Sequence, residues 1–204
     1  NFENYFPELK DKLLVFNNLI NYKKILKNAK EKIEMKKNKE ITFINVGRHE
    51  EKQKRLSRII EAVEKLKQEN IKCKVLFVGD GVDNIKYKNM VKDKKLEDYI
   101  TFLGAKQNPY PYFCISDCFL MSSEYEGYPV VFIEALILGL PIITTDISDS
   151  REDIANKYGI VTQKSTEDIY LAMKNFIKEG YKINQQFNPE QYNKEILKEL
   201  EKIL

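Results

Sequence analysis

The sequence predicts an α/β fold built on a doubly wound, mainly parallel sheet of the Rossmann-like kind. Short apolar runs typical of buried strands recur along the chain, and stretches with helical spacing of apolar residues separate them. Gly or Asn follows several of these runs, where a strand would pass into a loop. Because short strands alternate with helices throughout, the strands are expected to be parallel and joined by crossover helices.

Composition limits the classes of protein to which the chain can belong. It has 204 residues, of which 43% are hydrophobic and 32% charged, as in a soluble globular domain with one substantial core. The net charge of +3 is too small to indicate nucleic-acid binding. No apolar run approaches the ~20 residues of a membrane span, and no signal peptide opens the chain. We therefore expect a cytoplasmic protein.

Two further features concern the ends of the chain and its thiols. Residue 1 is Asn rather than Met, so the sequence is expected to be a piece of a longer polypeptide. Cys73, Cys114 and Cys118 are sparse and lie in apolar surroundings without metal-ligand neighbours. We interpret all three as reduced core residues.

The elements follow in chain order, beginning with an approach segment that runs into a first strand at 13–16. Residues 1–21 thus lead into a single domain over 22–204. Apolar runs predict the remaining strands, at 41–46, 74–78, 99–103, 118–121, 141–145 and 159–161. Apolar residues at helical spacing predict the main helices, at 22–37, 56–66, 87–95, 130–138, 150–154, 166–177 and from 189 onward, with a short one running from 108–112 into 114. Ser165 is a suitable N-cap, with Asp168 at the capping-box position.

The stretch after the strand at 118–121 holds a turn that opens a helix. Gly127 is its one residue free to take positive φ, and Pro129 suits a first helical position. The first amides of the helix, on Val130, Val131 and Phe132, would then be unpaired. Together with the helix dipole, they make a site for an anion.

Two carboxylates flank that helix start, Glu126 on the turn and Glu134 in the second helical turn. A phosphate at the amides would repel both, so any shared ligand must present neutral hydroxyl groups to them. An ionised carboxylate can accept from two adjacent hydroxyls, as a ribose diol or a hexose edge presents them. The combination indicates a ligand with a sugar on each side of a phosphate group.

A second loop is basic. Gly47 and Arg48 end the strand at 41–46, and Lys54 follows before the helix at 56–66. This order places both cations at the carboxyl end of the sheet, where open α/β sheets bind ligands.

These residues resemble a known family. Glu126, Gly127, Tyr128, Pro129 and Glu134 are similar to the E-x7-E signature, in its E-G-[FY]-P form, of the retaining glycosyltransferases of family 4. In that family the first carboxylate contacts the transferred sugar and the second holds the ribose of the nucleotide. The resemblance implies that the chain is the C-terminal, donor-binding half of a GT-B fold.

The basic loop matches a second motif of the family, G-R-x5-K, at Gly47, Arg48 and Lys54. The family usually follows that Lys with Gly or Asn, whereas this chain has Arg55. The resemblance implies that Arg48 and Lys54 hold the donor diphosphate. His49, beside them, is interpreted as a surface loop histidine.

The resemblance also gives the full set of candidate residues. Gly79 and Gly81 fit the G-x-G turn of GT-B donor domains, and Ala105 lies where such enzymes present backbone groups to the nucleobase. The catalytic candidates are Arg48, Lys54 and Glu126. The donor-binding candidates are Gly47, Gly79, Gly81, Ala105, Gly127, Tyr128, Pro129, Val130, Val131 and Glu134. No metal and no cofactor are expected, because GT-B enzymes generally need no metal and the chain has no Asp-x-Asp motif.

The expected function is transfer of a sugar from a nucleotide-sugar to an acceptor hydroxyl in the synthesis of surface polysaccharide or glycoconjugate. The expected donor is a UDP-sugar. Family members bind the acceptor in an N-terminal domain. The expected partner of this chain is therefore a missing N-terminal half of the same polypeptide. Contact with the inner face of the membrane is possible through that half. This chain alone should bind nucleotide without turnover. The alternatives are a glycosidase using Glu126 and Glu134, a non-catalytic nucleotide-binding domain of Rossmann type, and a GT-B sugar-nucleotide epimerase.

Overall fold

The computed structural model describes residues 5–12, 17–127, 129–147, 157–181, 183 and 186–202. They fall into two compact units, Asn1–Ile20 with Asn188–Leu204, and Asn21–Phe187. A 3₁₀ helix occupies Pro7–Lys12. The α-helices are α1 (Tyr22–Asn28), α2 (Glu51–Lys54), α3 (Leu56–Gln68), α4 (Asn84–Asp93), α5 (Tyr110–Cys114), α6 (Val130–Ile137), α7 (Thr166–Glu179) and α8 (Pro189–Glu201). The domain division predicted from the sequence, after residue 21, stays a prediction.

A six-stranded sheet forms the centre of the larger unit. Its strands are β1 (Thr42–Val46), β2 (Lys74–Val78), β3 (Ile100–Gly104), β4 (Cys118–Met121), β5 (Ile142–Thr145) and β6 (Gly159–Thr162). They lie in the order β3-β2-β1-β4-β5-β6, and every neighbouring pair is parallel. This is the doubly wound, Rossmann-like order, so the predicted fold class is confirmed.

Both faces of the sheet are covered by packed side chains, which explains why the strands are mostly apolar rather than alternating. On one face, side chains such as Phe43 pack with α3, α4 and α7. On the other, their sequence neighbours such as Ile44 pack with α5 and α6. Because successive residues of a strand point to opposite faces, one apolar run supplies both cores.

The strand order reverses between β1 and β4, which is where sheets of this kind have their ligand-binding crevice. The pairing of β1 with β4 covers Phe43 with Cys118 and Ile44 with Phe119. One residue further on, the side-chain amide of buried Asn45 donates to the Leu120 carbonyl at 2.7 Å. The Asn45 side chain thus supplies a hydrogen bond to β4 just past the two backbone-paired residues. The carboxyl ends of β1 and β4 border the place where doubly wound sheets bind ligands.

The predicted strands agree closely with the observed ones, and 74–78 and 118–121 agree at both ends. The helix predicted at 22–37 is wrong in length, because α1 ends at Asn28. Beyond it, Ile33 lines a cavity with Leu103 and Tyr112, and Met35 packs on the core. Tertiary packing of these side chains therefore overrides the helical spacing. The predicted strand at 13–16 and helix at 150–154 lie outside the described residues.

The smaller unit contains α8, which begins as predicted at Pro189 with Asn188 as its N-cap. Asn193 of this helix exchanges two hydrogen bonds with the backbone of Ile20, at 3.0 and 2.9 Å.

In the larger unit, the predicted N-cap of α7 is also confirmed, since the Ser165 side chain accepts from the Asp168 amide at 3.0 Å. None of the helices formed by the described residues is long and apolar enough to cross a bilayer.

The thiols differ from the prediction at one position. Cys73 and Cys118 are buried, and burial raises the pKa of the Cys73 thiol to about 12. Cys114 is exposed, so its assignment to the core was wrong. It is the last residue of α5, a helix whose buried side is formed by Pro111 and Phe113.

Candidate functional site

The short helix α2 brings Lys54 to the crevice and is fixed through its first residue. The Glu51 amide donates to the Asp83 carboxylate at 2.8 Å, and the Glu51 carboxylate accepts from the Tyr87 hydroxyl at 2.8 Å. The Ser57 hydroxyl donates to the same carboxylate. These bonds tie α2 to α4 and to the start of α3, so the loop after β1 has a defined position.

The loop after β4 is bonded to the other end of α2. The hydroxyl of buried Ser122 donates to the carbonyls of Lys54 and Arg55, at 2.9 and 2.8 Å. The Glu124 amide donates to the Gln53 carbonyl at 2.7 Å. The loops from the two sides of the crevice are therefore held together by the backbone as well as by side chains.

Lys54 and Glu126 meet in this cluster. Lys54 Nζ lies 2.7 Å from Glu126 Oε1, and the two side chains are only 17% and 8% exposed. Ser123 Oγ donates to the same oxygen at 2.7 Å, and Gln53 Nε2 to Oε2 at 3.3 Å. The Lys54 side chain lies over Gly47, whose missing Cβ would be 3.5 Å from the last carbon of the Lys54 stem. Two of the predicted catalytic residues thus form one buried ion pair.

The predicted glycines at the ends of β1 and β2 are also close together. A Cβ on Gly79, which has φ +147°, would lie 1.8 Å from the Gly47 carbonyl oxygen, and a Cβ on Gly81 would lie 2.5 Å from the His49 carbonyl oxygen. The two loops therefore approach so closely that only glycine fits at 79 and 81.

His49 is fully buried beneath these glycines, so its interpretation as a surface residue was wrong. Its ring meets Phe77, Tyr87 and Phe102 edge-on. Nδ1 lies 3.1 Å from Asn84 Oδ1, and the Asn84 amide donates to Asp80. Burial lowers the pKa of His49, with the Asn84 hydrogen bond opposing the shift. A neutral imidazole is what this apolar cage accommodates.

Helix α6 begins at Val130, where the apolar run predicted it and one residue after the Pro129 start that the turn predicted. Pro129 is its N-cap rather than its first helical residue, and Gly127 does not take positive φ. The Phe132 amide, predicted to be unpaired, donates to the Pro129 carbonyl at 2.9 Å. The amides of Val130 and Val131 precede the first bonded turn and remain the anion-binding candidates. Tyr128 lies outside the described residues.

Glu134 lies on α6 beside Tyr110, whose hydroxyl donates to Oε1 at 2.8 Å. Burial raises the pKa of the Glu134 carboxyl, and the Tyr110 bond opposes that rise. Burial, with a further contribution from Glu134, raises the pKa of Tyr110 as well, so the phenol stays protonated and acts as a donor. Tyr110 therefore orients the carboxylate predicted to hold a ribose.

The raised pKa of Glu134 gives a pH dependence of stability. Because the folded chain binds this proton more tightly than the unfolded chain, the contribution of Glu134 is full below the ordinary value of 4.5 and is lost as the pH rises through the folded-state pKa. Glu134→Gln keeps an acceptor for Tyr110 without the charge. In urea unfolding from about pH 4 to about pH 8, we expect the variant to gain stability over the parent as pH rises. Exposed Glu97→Gln controls for the loss of one charge, and a difference that does not change with pH for Glu134→Gln would contradict the expectation.

Arg48 and Ala105 have no recorded contact with the Lys54–Glu126 pair. The Arg48 side chain is 72% exposed, and its one recorded ion pair among the described residues is a long one, 3.8 Å to Glu50. Ala105 is exposed and follows Gly104, whose carbonyl accepts from the Gly79 amide at 3.0 Å. Their roles stay predictions.

The backbone conformation of residue 55 explains why the family usually has Gly or Asn where this chain has Arg55. It lies between α2 and α3 with φ 50° and ψ 43°, a left-handed conformation that Gly and Asn adopt more readily than Arg. Arg55→Gly is expected to raise the free energy of unfolding by about 1 kcal/mol relative to Arg55→Ala. Both variants lose the ion pairs to Glu51 and Glu124, so chemical denaturation of this pair isolates the backbone term. Equal stability of the two would contradict the expectation.

Sequence reasoning missed Gln53 and Ser123, which bond to Glu126, and Tyr110, which bonds to Glu134. Gln53 and Ser123 carry no charge, and nothing in their spacing distinguishes them from other loop residues. Tyr110 lies 24 residues before Glu134, so only the fold brings them together. Within the described residues, no group of His, Cys, Asp and Glu side chains is arranged to hold a metal ion.

Comparison with known proteins gives a family and a fold. The model of the family Glycosyl transferases group 1 matches residues 27–195, which is most of the chain. An uncharacterized glycosyltransferase of Methanocaldococcus jannaschii is 29% identical over 180 residues, covering 79% of this chain and 44% of that protein. A 4-alpha-N-acetylgalactosaminyltransferase of Campylobacter jejuni, named for its N-acetylgalactosamine-N,N'-diacetylbacillosaminyl-diphospho-undecaprenol substrate, is 27% identical over 153 residues, covering 74% of this chain and 40% of that protein. The chain thus spans less than half the length of both relatives.

Among solved structures, Anabaena HepE in complex with UDP has a TM-score of 0.67 at 18% identity, with coverage of 80% of this chain and 49% of that one. At this identity the likeness is one of fold. The fold shared is the Rossmann-like half of GT-B glycosyltransferases.

Proposed function

The chain belongs to the glycosyl transferases of group 1, and on that premise we propose that it is the donor-binding half of a retaining glycosyltransferase, which moves a sugar from a UDP-sugar to an acceptor hydroxyl. The observation that carries the proposal is the Lys54–Glu126 pair in the crevice at the switch point of the sheet. There a cation for a diphosphate and an acceptor for sugar hydroxyls, from the loops after β1 and β4, meet at one place.

The resemblance to the retaining family implies the proposed reaction. The bond between the anomeric carbon and the β-phosphate oxygen breaks, a bond to the acceptor oxygen forms on the same face, and a phosphate oxygen of the donor takes the acceptor proton. UDP leaves with increased negative charge. Lys54, Arg48 and the amides of Val130 and Val131 stabilise that charge, and each such donor contributes on the order of 3 kcal/mol to the transition state. Glu126 and Glu134 accept hydroxyls of the sugar and of the ribose.

Several finer points belong to the same proposal. The HepE complex supports UDP as the nucleotide, and the name of the Campylobacter relative supports an acceptor in glycoconjugate synthesis. Because the chain spans less than half of its relatives, we propose that the acceptor is bound by another half of the whole protein. The chain alone then binds nucleotide without turnover, and the reaction needs no metal.

A thermal-shift panel on this chain tests the proposal, with UDP, GDP, ADP and their sugar conjugates. A nucleotide at a hundred times its Kd stabilises the folded state by about 2.7 kcal/mol, which corresponds to a rise in Tm of about 5 to 10 °C. We expect UDP to give the largest rise, and the Arg48→Ala/Glu134→Ala double variant to lose it. Exposed Lys198→Ala, on α8, is the control for removal of a cation.

Other outcomes favour other functions. A rise in Tm that survives the double variant would favour a non-catalytic nucleotide-binding domain, and cleavage of aryl glycosides without nucleotide would favour a glycosidase. If none of the nucleotides stabilises the chain, the donor-binding proposal is wrong.

A further inference from the structure

In the Lys54–Glu126 pair, two groups that the proposed donor needs are bonded to each other. Lys54 Nζ is committed to Glu126 Oε1 at 2.7 Å, and Glu126 Oε1 is the oxygen that also accepts from Ser123. Both side chains are largely buried in this arrangement. In the structure, therefore, the cation meant for a diphosphate and the acceptor meant for a sugar neutralise each other.

A diphosphate that binds beside this pair is repelled by the Glu126 carboxylate. A phosphate oxygen within hydrogen-bonding distance of Lys54 Nζ would lie about 5 Å from Glu126 Oε1, and two like charges at that separation in a largely buried site repel each other. Lys54 must turn toward the phosphate and away from the carboxylate for this repulsion to be relieved. That movement leaves Glu126 Oε1 without its cation.

The two members of the pair differ in how firmly they are held. Glu126 keeps Ser123 and Gln53 as donors when Lys54 leaves. Ser123 is itself fixed, because its carbonyl accepts from the Thr145 hydroxyl at 2.6 Å. Lys54 has a flexible four-carbon stem that crosses Gly47, a residue without a side chain. Lys54 is therefore the member that moves.

We propose that Glu126 holds Lys54 in the empty site and gives it up when a nucleoside diphosphate binds, so that this carboxylate weakens the binding of the free diphosphate. The inference rests on the proposed function and deepens it. A sugar-nucleotide supplies hydroxyls to the released carboxylate, whereas UDP alone leaves it without them. After transfer Glu126 takes Lys54 back and promotes release of UDP, a step that limits turnover in many enzymes.

A double-mutant cycle on this chain tests the exchange, with UDP as ligand and isothermal titration calorimetry as the measurement. The variants are Glu126→Gln, Lys54→Met and the two combined. We expect Glu126→Gln to tighten UDP binding about tenfold when Lys54 is present, and by less than about threefold in the Lys54→Met background. Simple repulsion between Glu126 and phosphate acts with or without Lys54, so the cycle separates the two effects.

Glu124→Gln is the matched control, because it removes a carboxylate from the same loop. Glu124 pairs with Arg58 at 2.6 Å and with Arg55 at 3.6 Å rather than with Lys54. We expect it to change the Kd for UDP by less than about twofold. Glu126→Gln keeps an oxygen for Ser123 and should fold, which circular dichroism checks. Glu126→Asp, whose shorter side chain makes a weaker pair with Lys54, serves as a second variant.

The outcomes distinguish this inference from the proposed function. Equal tightening by Glu126→Gln in both backgrounds, or none in the presence of Lys54, overturns the exchange and leaves donor binding intact. If UDP, GDP, ADP and inorganic pyrophosphate all fail to bind the unsubstituted chain, both proposals are overturned.

Discussion

Gly79→Ala is expected to lower the free energy of unfolding by more than about 4 kcal/mol. The added Cβ would lie 1.8 Å from the Gly47 carbonyl oxygen and 3.4 Å from His49 Nε2, and the backbone has φ +147°. The nearest obstacle is backbone rather than a side chain that could turn away, so β1 and β2 would have to separate at their carboxyl ends. Losses of this size are rare among single substitutions and follow from strain of this kind.

Urea unfolding measures the effect, and Gly127→Ala is the matched control. The φ of Gly127 lies outside the left-handed region, and an added Cβ there meets nothing within 4 Å. We expect its unfolding midpoint to stay close to that of the parent. Similar midpoints for the two alanine variants would mean that the close approach of the two loops does not exist in solution.

Lys54→Met is expected to lower both stability and nucleotide affinity. It leaves Glu126, only 8% exposed, without its cation. Removal of one partner of a buried pair costs about 3 kcal/mol. It also removes a charged donor to the diphosphate, which weakens UDP binding by about ten- to a hundredfold. Denaturation and calorimetry measure the two effects separately.

A second substitution separates the two roles of Lys54. Lys54→Met/Glu126→Gln should recover most of the stability and little of the affinity, because the stranded carboxylate is gone but the donor is still missing. Arg48→Met is the control, since exposed Arg48 is expected to contribute to binding and not to folding. Full recovery of UDP affinity in the double variant would exclude Lys54 from the diphosphate site.

The sheet could be predicted from the sequence because its signal is local. Residues 75–78 and 118–121 are apolar throughout, with Lys74 and Gly79 beside the first run and Asp117 and Ser122 beside the second, and burial on both faces favours this composition. The helix predicted at 22–37 failed because Ile33 and Met35 have contacts with residues far along the chain. Such contacts leave no trace in the spacing.

The candidate site could be predicted in part. Motif spacing placed Lys54 and Glu126 at the same edge of the sheet, but it could not show that they pair with each other. The burial of His49 depends on two glycines 30 and 32 residues later, Gly79 and Gly81, which lack side chains that would keep the loops apart. The G-x-G pattern was a signal of close backbone approach, although the sequence does not show what lies beneath it.

The short pairing of β1 with β4 affects how a bound ligand would stabilise the sheet. Arg48 and Lys54 follow β1 and the two acids follow β4, so a ligand that contacts both sets would act as a cross-link between the two halves of the sheet. Recorded strand pairing there covers two residues of each strand, and the Asn45 amide bridges to the next carbonyl. Slower amide hydrogen exchange on ligand binding should therefore concentrate at the ends of β1 and β4, leaving the outer strands nearly unchanged.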